Sequence, residues 1–173
     1  MSCEILSGYN SFEMCDSQAG VAEWYAFSRK NLATFTKSGG EVTAITLTAG
    51  KYAYPFLVEQ ETSSLTSTSV GEKVNKAYAV EEAGTIILHG NSADMIENIE
   101  LLAKDRTVWI AKLNDGSYEI AYTTYGAKVN FERTTGTAME DMNGYTLTLS
   151  GKEPYMPLKI DSNLVQALLA PAS

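Results

Sequence analysis

A thiolate–imidazole pair would be the most reactive device available to this sequence, and the materials for it are thin: one histidine, His89, and two cysteines, Cys3 and Cys15. A nucleophilic thiol needs a base within hydrogen-bond reach, and neither cysteine sits in a recognisable nucleophile context. The same three residues are too few and too spread for a zinc site, which usually takes four ligands at tight spacings. Asp141-Met142-Asn143-Gly144 matches part of a calcium loop, but the third acidic position and the distal bidentate glutamate are missing. It reads as a turn using Asn-Gly chemistry. The acidic pairs Glu81-Glu82 and Glu140-Asp141 have the residue types for acid–base work, and solvated loop charge is the simpler explanation. No glycine loop of the phosphate-cradling kind is present. The expectation is no catalytic residue, no metal site and no cofactor.

The elements that would position any site form one unit. A chain of 173 residues, 45% hydrophobic and 20% charged, is large enough to bury a core as a single domain spanning 1–173. No apolar run approaches a membrane span. Met1 to Leu6 lacks the basic region and apolar core of a secretory signal, so assembly in the cytoplasm of the producing cell is expected. Two cysteines near one terminus make a poor disulfide framework, and free thiols are expected. The net charge of -8 repels a phosphate backbone. The bases are scattered, with Arg29-Lys30 the one adjacent pair. Most of the ten tyrosines are expected in the core or an interface, where a ring is buried and a hydroxyl stays wet.

Residues 1–16 show no clear period and read as a loop or as an arm that orders on a neighbour. Val21–Phe27 reads as a strand. Ser38-Gly39-Gly40 is a turn, followed by a strand with Thr43, Ile45 and Leu47 on one face. Lys51–Gln60 reads as a strand at an edge or bulge, because Pro55 removes a donor. Residues 61–70 are polar and simple, and read as a flexible loop or an extended hairpin arm. Lys73–Val80, with Val74, Tyr78 and Val80 on one face, and Thr85–His89 read as two more strands. Ser92–Lys104 is expected to be a helix, capped by Asn91 or Ser92, with Met95, Ile96, Ile99, Leu102 and Ala103 as its apolar stripe. Strands are expected at Thr107–Leu113, Tyr118–Tyr125 (Tyr118, Ile120 and Tyr122 on one face), Ala127–Arg133 and Gly144–Leu149. Asn114-Asp115-Gly116-Ser117 forms a hairpin turn, Thr134–Asn143 a loop, and Asn163–Ala170 a short helix capped by Asp161 or Ser162. The fold expected is mainly β: a two-sheet antiparallel β-sandwich with one packed α-helix.

Three segments carry a resemblance: Cys15-Asp16 followed by Ala19-Gly20-Val21; Val42-Thr43-Ala44-Ile45-Thr46-Leu47 before Tyr52-Ala53-Tyr54; and Asp141 through Leu149. With the element order, they resemble phage tail-tube proteins, and more specifically small virion proteins of Bacteroidetes phages and prophages. The resemblance implies a virion structural subunit forming homohexameric rings. These would stack around a channel through which DNA passes without specific binding. Other tail or head proteins would be its partners, and no membrane. On that reading Thr62, Ser63, Ser64, Leu65, Thr66, Ser67, Thr68 and Ser69 are candidates for contact with a neighbouring subunit. Glu59, Glu61, Glu72, Glu81 and Glu82 are candidates for acids lining the lumen. Alternatives are another head–tail or capsid-associated phage protein, or a ligand- or carbohydrate-binding β-sandwich module using Trp24, Tyr25, Tyr52 and Tyr54. An unfamiliar enzyme is the least expected.

Overall fold

β1 (Val21–Ser28) is buried at four consecutive positions, Trp24 to Phe27. A strand apolar on both faces belongs in the middle of a layered structure. β1 occupies that place in the computed structural model, which describes residues 3–13 and 15–171. Met1, Ser2 and Met14 of the expected arm lie outside the described residues. One sheet has seven strands in the order β2 (Leu32–Ser38), β3 (Glu41–Leu47), β11 (Leu158–Ile160), β8 (Tyr118–Ala121), β7 (Thr107–Leu113), β1 and β4 (Tyr54–Leu57). The other has four: β5 (Ser64–Val70), β6 (Ala79–His89), β10 (Gly144–Glu153) and β9 (Lys128–Thr134). Among the described residues the named strands pair antiparallel, except β3 with β11, which meet in parallel at Glu41 and Lys159. The chain is a β-sandwich with packed helices.

Two cores follow from this layering. Between the sheets, Trp24, Trp109, Ala111 and Ala121 pack with Ile86, Leu147 and Leu149. Trp24 and Trp109 meet edge to face at 5.9 Å and 82°, the favoured aromatic geometry. On the other face of the seven-stranded sheet, Tyr25, Phe27, Ile110 and Ile120 pack with Val165 and Leu168 of α2 (Ser162–Leu168). Asp161 caps α2 by accepting from Asn163 N.

α1 (Ala93–Lys104) starts at Ser92, whose Oγ accepts from Met95 N at 3.2 Å. Its stripe is narrower than its spacing predicts. Ile99 is buried, Met95 and Leu102 pack partly, and Ile96 is 45% exposed. Ile99→Ala is therefore expected to cost about 2–5 kcal/mol, whereas Ile96→Ala should stay within about 0.5 kcal/mol of the parent. Urea denaturation of both variants checks the contrast, and equal losses would place the helix the wrong way round.

Other departures have local causes. Lys73–Val80 is not a strand. Residues 73–76 make the reversal between antiparallel β5 and β6, Lys76 has φ 49, and Val74 and Tyr78 stay exposed. Thr85–His89 is the second half of one long strand, β6. Lys51–Gln60 shrinks to β4, which lies at a sheet edge as Pro55 demands. β8 stops at Ala121 because Tyr122 turns left-handed, φ 64. Tyr118 and Ile120 thus join the α2-side core, while Tyr122 points between the sheets.

Candidate functional site

Residues 61–70 do not form a detached arm. Ser64–Val70 is β5, paired along its length with β6 from Ser64–Thr85 to Val70–Ala79. Ser63 is buried and its Oγ donates to Val21 O at 3.3 Å, so it serves the chain's own fold. Thr62 Oγ1 donates to Glu59 O at 2.7 Å. Leu65 packs on the inter-sheet core, and Ser67 is half-buried. Ser64, Thr66, Thr68 and Ser69 are exposed. β5 is an end strand of its sheet, so the side away from β6 carries unpaired backbone groups. Register continues a polar outer face from it: Thr68–Glu81–Lys152, Thr66–Ala83–Ser150 and Ser64–Thr85–Thr148 are successive rows.

The five acids do not make one wall. Glu59 and Glu61 lie in the connection before β5, and Glu72 in the connection after it, accepting from Asn75 Nδ2 at 2.7 Å. The seven residues of β5 put about 20 Å between those ends. Glu81 is on the outer face, paired with Lys152 at 3.1 Å. Glu82 is buried at 2% exposure. Period-2 alternation with Val80 and Ile86 turns it inward, and the same signal in the sequence would have found it.

Glu82 belongs to a buried clamp. Its Oε2 accepts from Tyr122 N at 3.2 Å, while Glu153, also buried, accepts from Thr124 N and Tyr125 N at 3.1 Å each. Together the two carboxylates hold the left-handed turn that carries the chain from β8 to β9. Burial pushes the Glu82 carboxyl up to about 8, the Tyr122 N–H opposes this, and the charge of Glu153 adds to it. Burial, then Glu82 and Glu153, also push the Tyr122 phenol up. Among the described residues the Tyr122 hydroxyl and Trp24 Nε1 are buried without a hydrogen-bond partner.

The remaining candidates separate. Trp24 and Tyr25 are in the core, Tyr52 is half-buried and Tyr54 is 60% exposed, so the four aromatics form no common binding face. Tyr54, Phe56 and Leu57 instead wall an open groove of about 670 Å³, with Met95, Leu101 and Leu102 of α1 opposite. His89 is exposed, and Cys3 and Cys15 are exposed and unpaired. Asp141 accepts from Thr137 N and Ala138 N at 2.8 Å, which holds its carboxyl below the usual range and commits it to a turn. Among the described residues no three His, Cys, Asp or Glu side chains group as a metal site, and no helix is long and apolar enough to cross a membrane. Comparison with family models, curated proteins and solved structures finds no match.

Proposed function

We propose that the chain is a self-assembling virion structural protein, a subunit of ring type like those of phage tail tubes. The observation that carries this reading is the four-stranded sheet, with β5 left at its edge beside an outer face rich in short hydroxyl side chains. An open edge invites another chain, and cyclic association of identical copies satisfies such edges in a closed set of contacts. The sandwich of two sheets with a helix beside it fits the resemblance that the sequence carries. The net charge of -8 suits a surface past which DNA slides, because like charges do not bind.

Purified protein is expected to form concentration-dependent rings, hexamers first, visible by negative stain and by sedimentation velocity. It should show no appreciable affinity for duplex DNA even at low salt, where phosphate attraction is strongest. Monomer alone at every concentration, with no tail protein able to recruit it, would remove the ring reading. Tight DNA binding would remove the channel reading.

A further inference from the structure

The stretch preceding β1 holds its large apolar side chains in solvent. Ile5, Leu6, Tyr9 and Phe12 are 92%, 99%, 93% and 102% exposed, and a 3-10 turn at Ser11–Glu13 is the regular structure described there. Four bulky apolar residues within eight positions are more than solubility calls for, and such a cluster marks an interaction site. The same molecule carries an apolar groove whose walls include Leu57 and Leu101, 71% and 56% exposed. The geometry points to one contact satisfying both: the N-terminal arm of one copy lies in the groove between β4 and α1 of a second copy. The contact rests on the self-assembly reading above and gives it a specific joint.

Three features match arm to groove. The first is length. From Ile5 to Asn10, ahead of the 3-10 turn, an extended chain spans about 17–18 Å, matching about 18 Å for the twelve residues of α1. The arm's apolar side chains can therefore run along the whole helix. The second is charge. The arm from Ile5 to Phe12 is flanked by Glu4 and Glu13, and residues 3–20 contain neither Lys nor Arg. Beside the groove residue Tyr52 stands the exposed base Lys51, while the groove's own acid, Asp105, is engaged by Ser28 Oγ and Lys30. The third is direction. Asn114 in the β7–β8 turn fixes the arm's root, donating from Nδ2 to Ala19 O at 2.6 Å and from its backbone N to Gly20 O at 3.1 Å. β7 flanks β1 on the side opposite β4, so the root is held on the far side of β1 from β4, and the exposure of Ile5, Leu6, Tyr9 and Phe12 leaves the arm unseated on its own chain.

The test pairs disruption with cross-linking. Ile5→Asp with Leu6→Asp, and separately Leu57→Asp with Leu101→Asp, alter exposed residues and should leave thermal unfolding near the parent. Each pair is expected to weaken self-association at least tenfold by sedimentation, and the four changes together should do little more than either pair, because both pairs remove the same contact. For the cross-link, Cys15→Ser protein retaining Cys3 is mixed with a size-tagged copy carrying Cys3→Ser, Cys15→Ser and Leu101→Cys, then treated with a bismaleimide. A band at the summed mass is expected. A chain carrying Cys3 and Leu101→Cys together that links only within itself would overturn the second-copy assignment. Rings that form with unchanged affinity in both disrupted pairs would overturn the arm contact and leave the ring reading standing. A parent that never associates and yields no intermolecular band would end both.

Discussion

Trp109→Ala is expected to lower the unfolding free energy by about 3–5 kcal/mol, a large share of the 5–15 kcal/mol typical of a whole domain. Trp109 is fully buried on β7 next to β1. Its ring meets Trp24 edge to face and lies 5.1 Å from Phe56, and its Nε1 donates to Thr107 Oγ1 at 2.7 Å. Truncation removes the ring from between the two sheets and strands the Trp24 edge and the Phe56 wall over a cavity. Trp109→Phe keeps most of the volume and should lose clearly less. Urea denaturation of the two variants reads the difference directly. A loss below about 1.5 kcal/mol for Trp109→Ala would mean that the sheets close over the space, contrary to the packing described.

The second large effect is a stability that falls as pH rises. Glu82 has its carboxyl pushed up to about 8 from an ordinary 4.5. Between those values the folded chain holds a proton that the unfolded chain has released. This group's contribution is therefore fully present below about 4.5 and is lost as pH climbs through about 8. One proton sets the ceiling on the slope, at about 1.4 kcal/mol per pH unit. Glu82→Gln keeps an acceptor for Tyr122 N and carries no charge. It should match the parent near pH 5, exceed it near pH 9, and flatten the curve between. Parallel curves for parent and variant would show that Glu82 does not titrate in this window.

What was legible in the sequence was what repeats. Tyr145, Leu147 and Leu149 alternate, and β10 buries all three. Ser92 before a helical stripe marked α1, and Asn114 to Ser117 marked the β7–β8 hairpin, where Gly116 has φ 90. The hidden elements are those whose side chains carry no period. β2 has no buried residue, and β11 is three residues between prolines and a helix cap, so neighbours rather than local pattern make both of them strands. Alternation puts the Tyr122 side chain on the wrong face because it assumes φ below zero, and a single left-handed residue turns it to the other face. Charge alone groups the acids, whereas phase separates them: Glu82 alternates in step with the buried Val80 and Ile86. The groove between β4 and α1 joins residues that lie far apart in the sequence, such as Tyr54 and Leu101, and no local signal announces it.

β11 also has a bearing on how the chain is made. It lies between β3 and β8, and reaches β3 at the single register pair Lys159–Glu41, with Lys159 N donating to Gly40 O at 3.0 Å. The β2–β3 hairpin is thus inserted into the large sheet through three residues that emerge from the ribosome more than a hundred positions later. At ordinary elongation speeds that interval is on the order of ten seconds. Throughout it the hairpin has its local partner and no sheet to join, with Val42 and Ile45 still uncovered. The nascent protein is therefore expected to pass through a window of adhesiveness set by translation, one that a pause before codon 158 would lengthen. Slow synthesis favours many folds that complete domain by domain; here it prolongs the time in which neighbouring nascent copies can tangle.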